Sequence, residues 1–180
     1  MAAESGQKHA RKPKRRAELS EAALDEAALS YLNRFDCSVA KLKKQLVSVV
    51  RRRGGEPAAF MGYITALLER YQRSGLLNDE RFAARLATRL RERGGSRRAI
   101  LMKLRLRGVT ASVAEASAGS GREGELESAK AYARRRRLGP HRPEAEREAN
   151  RRRDLAALAR AGFDHETAIR AIGYGAEDDF

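Results

Sequence analysis

Apolar residues recur along most of this chain at intervals of three and four, the spacing that places them on one face of an α-helix. After Ser20, such a stripe runs through Leu24, Ala28, Tyr31, Leu32 and Phe35, with Glu21 and Asp25 toward the positive end of the helix. Asp36 or Ser38 suits the cap of a second helix, whose stripe of Leu42, Leu46, Val49 and Val50 alternates with Lys41, Lys43 and Lys44. Gly54-Gly55 stops that helix. Pro57 fits the first turn of a third, in which Phe60, Ile64, Leu67, Leu68 and Tyr71 repeat until Gly75.

A second unit opens on Asn78-Asp79-Glu80, with Phe82, Leu86 and Leu90 expected to face inward. Gly94-Gly95-Ser96 ends that helix and caps another carrying Ile100, Leu101 and Leu104 up to Gly108. Thr110 is placed to cap a short helix from Ala111 to Ala118, whose apolar content is Val113 and alanine, which predicts the weakest element. The third unit starts near Glu123 with Leu126, Ala129 and Ala133 and breaks at Leu138-Gly139-Pro140. A short linker leads to a helix from Pro143 through Leu155 and Leu158 to Gly162. Phe163 then packs back and Asp164 caps a last helix, with Ala168, Ile169 and Ile172 inward, before Gly173.

Superposing Gly108 on Gly162 aligns Leu101 with Leu155, Leu104 with Leu158, Val109 with Phe163 and Thr110 with Asp164 at one offset. Ser38, Leu42 and Leu46 likewise match Ser96, Ile100 and Leu104. A period near 50 residues is the mark of units that each pack mainly on their neighbours. The predicted fold is all-α, an elongated and curved array of three tandem three-helix repeats at 21–77, 78–121 and 122–174. A flexible basic tail at 1–20 and a short acidic tail at 175–180 flank it.

Composition supports thin helical layers. Hydrophobic residues are 42% of the 180, yet aromatics are 6% and tryptophan is absent, so much of the apolar fraction is alanine. Charge points to the partner. Thirty-eight Lys and Arg against 24 Asp and Glu give a net charge of +14, and thirty of the basic residues are arginine, suited to bidentate contact with phosphate or carboxylate. A nucleic acid or an acidic protein fits. The single Cys37 allows no internal disulfide, no run of 18 apolar residues occurs, and the start of the chain lacks the apolar stretch of a signal peptide. A monomer in the cytoplasm, without membrane contact, is the expectation.

Residues that could carry catalysis are sparse. His9, His141 and His165 share no ligand spacing, Cys37 has no histidine near it in sequence, and neither Gly54-Gly55-Glu56 nor Gly94-Gly95-Ser96 leads into a phosphate-binding lysine. No enzyme activity, metal or cofactor is expected. The candidate binding surface is instead the set of basic clusters: Arg51, Arg52 and Arg53; the helical stripe Arg81, Arg85, Arg89 and Arg93; Arg97, Arg98, Lys103, Arg105 and Arg107; Arg134, Arg135, Arg136 and Arg137; and Arg151, Arg152 and Arg153. These are expected to line one concave face. Neutralising ~6 phosphates would give a log-log salt slope of about −5. Two other functions suit a basic three-helix unit: a helix-turn-helix transcription factor and a general nucleic-acid-binding protein.

One stretch carries a more specific signal. Gly75-Leu76-Leu77-Asn78-Asp79-Glu80-Arg81-Phe82-Ala83, followed by an arginine-rich helix, Gly95-Ser96, an Ile/Leu helix and Arg107-Gly108-Val109, closely resembles the RecX family of recombination regulators. Ala28-Leu29-Ser30-Tyr31-Leu32 with Ser38-Val39-Ala40-Lys41-Leu42 resembles the family's first module, and Leu158-Ala159-Arg160-Ala161-Gly162-Phe163-Asp164 its last. The resemblance implies tandem three-helix repeats. It also implies a protein that binds in the groove of the RecA filament on single-stranded DNA, with double-stranded DNA a further candidate, and inhibits its ATPase, strand-exchange and co-protease activities. Roles in homologous recombination, DNA repair and the SOS response follow from the same resemblance. The chain departs from the family's pattern in its Arg51-Arg52-Arg53-Gly54-Gly55 turn, its alanine-rich helix after Thr110 and its basic N-terminal tail.

Overall fold

The computed structural model describes residues 19–119 and 121–173. The basic tail expected at 1–20 lies outside them except for Leu19 and Ser20, and the acidic tail at 175–180 lies outside them entirely. Within those limits the protein is all-α. Its helices, in chain order, are α1 (Glu21–Leu32), α2 (Val39–Arg52), α3 (Pro57–Arg73), α4 (Asp79–Glu92), α5 (Arg97–Leu106), α6 (Ala111–Ala118), α7 (Arg122–Arg136), α8 (Glu144–Ala161) and α9 (His165–Ile172). A 3-10 turn, Gly139–His141, occupies the place of the linker expected between α7 and α8.

Each successive trio of helices encloses its own apolar cluster. Leu24, Leu42, Leu46, Ile64 and Leu67 are buried in the first. Phe82, Ile100, Leu104 and Val109 are buried in the second, and Leu126, Leu158, Phe163 and Ile172 in the third. The anticipated stripes fill these clusters with local exceptions. Phe35 lies beyond the end of α1, where the chain has left the helix, and is 47% exposed rather than inward. In α4, Ala83 and Ala87 take fully buried positions while Leu86 and Leu90 lie at the border of the cluster. Small side chains let α6 approach closely, so the helix expected to be weakest still buries Ala114 and Ala118 completely. Thr110 makes no side-chain cap bond there; its hydroxyl lies 3.4 Å from that of Ser112.

The repeats are joined by one device, used twice. Ser38 and Ser96 cap α2 and α5, accepting from the backbone N–H of Lys41 and Ala99 at 3.2 Å. Both are fully buried, and each hydroxyl also donates into the next trio: Ser38 to the carbonyl of Arg107, Ser96 to the carbonyl of Ala161 at 2.7 Å. The following residue is held the same way at both junctions. Asp79 accepts from the N–H of Val39 at 2.9 Å, and Glu125 accepts from the N–H of Arg97 at 3.0 Å. Burial is the largest influence on the Glu125 carboxyl and raises its pKa, while the Arg97 N–H opposes that rise. The middle helices α2, α5 and α8 are thus aligned head to tail, the positive N-terminus of α2 meeting the negative C-terminus of α5 and that of α5 meeting the C-terminus of α8.

Glycine is required where these helices meet. Gly108 and Gly162 terminate α5 and α8 at φ +78° and +96°. A Cβ on Gly108 would collide with Cβ of Ala40, and one on Gly162 would lie 2.7 Å from the Ser96 hydroxyl. Replacing Ser96 with alanine removes a helix cap and leaves the Ala161 carbonyl without its hydroxyl partner. The expected loss is about 1–2 kcal/mol, read as a lower midpoint in urea unfolding with unchanged slope.

Candidate functional site: an arginine-lined groove

The junction of the second and third trios leaves an open groove of about 1270 Å³ along α5. α5 buries Ile100 and Leu104 on its core side. The helical period therefore turns Arg98, Leu101, Met102, Arg105 and Leu106 toward the groove. Facing them are Tyr132, Arg135 and Arg136 of α7 and Ala157, Arg160 and Ala161 of α8, with Arg93 and Gly94 at the turn leading into α5. The bonds from Ser96 to the Ala161 carbonyl and from the Arg97 N–H to Glu125 tie the two walls together.

The wall is cationic and partly apolar. Arg93, Arg98, Arg135, Arg136 and Arg160 have no carboxylate partner among the described residues, and the groove lining includes no Asp or Glu. Arg97 and Arg105 also border the groove but converge on Glu115, at 2.5 and 3.1 Å, so they contribute less free charge. Arg135 lies over the Tyr132 ring, 5.7 Å from its centre, and the same ring meets Phe163 edge-on at 5.9 Å. Met102 and Leu106 stand 60% and 75% exposed in the middle of this charge. That combination suits a polyanion or a carboxylate-bearing protein surface and supplies no nucleophile or base.

The other sequence-predicted cations lie elsewhere. Arg81 donates to the Gly75 carbonyl at 3.0 Å, satisfying the end of α3, and Arg85 pairs with Asp36 at 3.6 Å. Arg89 is exposed beside Thr88 near that pair. Arg51 and Arg52 end α2 on the surface of the first trio, with Arg53 half-buried at its cap. Lys103 on α5 and Arg107 at its C-terminal cap are exposed outside the groove lining. Arg134 faces a different cleft, with Lys130, His141 and Arg170, and Arg137 takes a left-handed conformation at the end of α7. Arg151, Arg152 and Arg153 lie on the middle turns of α8. The groove therefore gathers part of the arginine set, with further cations on other surfaces. Arg160, Tyr132, Met102 and Leu106 were not among the candidates.

The single cysteine is not activated where it sits. Burial pushes the Cys37 thiol up to about 11, reinforced by Asp36 and Asp79, so it stays protonated at neutral pH and is a poor nucleophile. No group of His, Cys, Asp and Glu able to hold a metal ion occurs among the described residues. No helix among them is long and apolar enough to cross a membrane.

Comparison with known proteins places this architecture. The family model for the second three-helix domain of RecX matches residues 78–117, which span α4 to α6. "Regulatory protein RecX" of Myxococcus xanthus (strain DK1622) is 43% identical over 172 residues, covering 92% of each chain. The protein of the same name from Halorhodospira halophila (strain DSM 244 / SL1) is 32% identical over 157 residues, covering 87% of this chain and 91% of its own. The crystal structure of RecX from Lactobacillus salivarius superposes with a TM-score of 0.65 at 16% identity, covering 85% of this chain and 94% of that one. A second crystal structure of regulatory protein RecX gives 0.62 at 19% identity, covering 86% and 72%. Similarity to the curated relatives over most of the chain and the shared all-helical repeat architecture agree: this chain belongs to the RecX family of regulatory proteins.

Proposed function

We propose that the protein binds the cytoplasmic RecA recombinase filament on DNA and inhibits its ATPase, strand-exchange and co-protease activities by occupying its surface, acting as a non-catalytic monomer in recombination, repair and the SOS response. The observation that carries this reading is the groove between α5 and the α7/α8 wall, where unpaired guanidinium groups converge without an acidic lining residue. Arginine pairs bidentately with phosphate and carboxylate, so one such wall can engage both components of a nucleoprotein filament. Its walls come from two repeats joined by hydrogen bonds, which limits the ordering cost of binding. Arg51, Arg52, Arg89, Lys103, Arg107, Arg134, Arg152 and Arg153, outside the groove, add long-range attraction.

The reading is tested on the DNA-stimulated ATPase of the cognate recombinase, measured with and without the protein at several salt concentrations. The expected result is dose-dependent inhibition that weakens as salt rises. An ATPase unchanged at every concentration rejects the filament reading. Binding of the isolated protein to a single-stranded oligonucleotide is expected to follow a log-log salt slope of about −4 if ~6 phosphates are neutralised, shallower than the value of about −5 for duplex DNA. A slope near zero in that titration would remove phosphate pairing from the account. Sequence-specific protection of duplex DNA would instead favour a transcription factor, but the outward face of α5 presents Met102 and Leu106 where a reading helix needs polar side chains.

A further inference from the structure

From the exposed aliphatic pair in the arginine groove we infer that its occupant is a protein segment: an amphipathic helix whose apolar stripe is flanked by carboxylates. The inference rests on the reading of this groove as the working surface, and it specifies which class of molecule enters. Met102 and Leu106 lie one helical turn apart and are 60% and 75% exposed, although α5 already has a complete core face in Ile100 and Leu104. Two apolar faces on so short a helix are not needed for folding. Leaving Met102 and Leu106 in water forgoes a burial that another apolar surface can supply.

The flanking chemistry identifies that surface. Arg98 lies one turn before Met102, Arg105 lies beside Leu106, and Arg135, Arg136 and Arg160 project from the opposite wall. A partner helix with leucine-like residues at i, i+3, i+4 and i+7 would set them on Met102 and Leu106, and carboxylates on its shoulders would meet both rows of guanidinium groups. The groove volume of about 1270 Å³ matches roughly three turns of a helix about 10 Å across. Single-stranded nucleic acid fits less well. It is recognised by bases stacking on free aromatic faces, whereas the one ring here, Tyr132, already has Arg135 over it and Phe163 at its edge.

The test uses a fluorescein-labelled peptide of about 18 residues, with leucine at helical spacing and glutamate on either side, titrated against the full chain by fluorescence anisotropy. A scrambled peptide of the same composition and a thymidine oligonucleotide of about 20 nucleotides serve as comparisons. The amphipathic peptide is expected to bind at least about tenfold more tightly than its scramble. Met102→Ala/Leu106→Ala should erase that difference while leaving oligonucleotide affinity within about twofold, and the exchange Met102→Leu/Leu106→Met should keep it. Equal binding of peptide and scramble overturns the inference, as does a loss of oligonucleotide binding parallel to that of the peptide. Because these titrations contain no recombinase, they fail or succeed independently of the ATPase experiment.

Discussion

Reversal of Arg98, Arg135, Arg136 and Arg160 to glutamate is expected to raise the concentration needed for half-inhibition of the recombinase ATPase by about 100-fold or more, roughly 2.7 kcal/mol of binding. All four side chains are exposed and have no carboxylate partner among the described residues, so the substitutions remove no folding contact between charges. Thermal unfolding should therefore change little. The appropriate comparison is Arg51→Glu/Arg52→Glu/Arg89→Glu/Arg152→Glu, which makes the same change in net charge at exposed positions outside the groove lining. Its expected effect is about threefold, through weakened long-range attraction. If both variants lost inhibition equally, total charge rather than the groove would govern binding.

The second large effect concerns folding. Asp154 is fully buried in α8, where its carboxylate accepts from the Arg142 guanidinium at 2.8 Å and from the N–H of Gly139 at 2.8 Å. The acid ties the α7–α8 connection to the third core. Asp154→Ala takes from the largely buried Arg142 its shortest carboxylate contact and leaves the buried Gly139 N–H without that acceptor, for an expected loss of about 3–5 kcal/mol. Calorimetry should show this as a melting temperature lowered by about 10 °C. Burial is the largest influence on this carboxyl and alone would raise its pKa, but the hydrogen bonds from Arg142 and Gly139 outweigh it and hold it below the ordinary aspartate range. A depressed folded value means the stabilisation is complete above the unfolded value, about 4, and is lost as pH falls through the folded one. The wild type should accordingly lose stability more steeply than Asp154→Ala below about pH 4. The two should run parallel near neutrality.

Most helices were legible because burial here follows simple periodicity. Leu104 and Leu158, aligned by the repeat, are both fully buried, and Val109 and Phe163 both fold back after a left-handed glycine. Exceptions arose where neighbours rather than period decide. Phe35 continues the stripe of α1 on paper, but α1 ends at Leu32 and the ring remains outside. Asp154 reads as one more charged position on a polar helix; its burial depends on Arg142 and Gly139, which reach it through tertiary folding. The groove was half legible. Clusters of arginine are visible in the sequence, but contiguous arginines point different ways around a helix: Arg135 and Arg136 enter the groove while Arg134 faces another cleft. Nor does sequence tell that Arg81 closes the end of α3 or that Arg97 and Arg105 share Glu115.

The inter-repeat joints show why the groove has fixed walls. Ser38 and Ser96 were matched by sequence as caps, yet a cap residue is ordinarily exposed, and nothing local predicts that its hydroxyl will reach the carbonyl at the end of the following repeat's middle helix. That second bond orients α5 against α8.

Amide hydrogen exchange of the full chain, with and without the recombinase filament assembled on single-stranded DNA, locates the surface that the filament covers. Added protection is expected in α5 and in the facing parts of α7 and α8, with α1 to α3 little changed. Protection confined to α1 to α3, leaving α5 and its facing wall unaltered, would contradict that expectation.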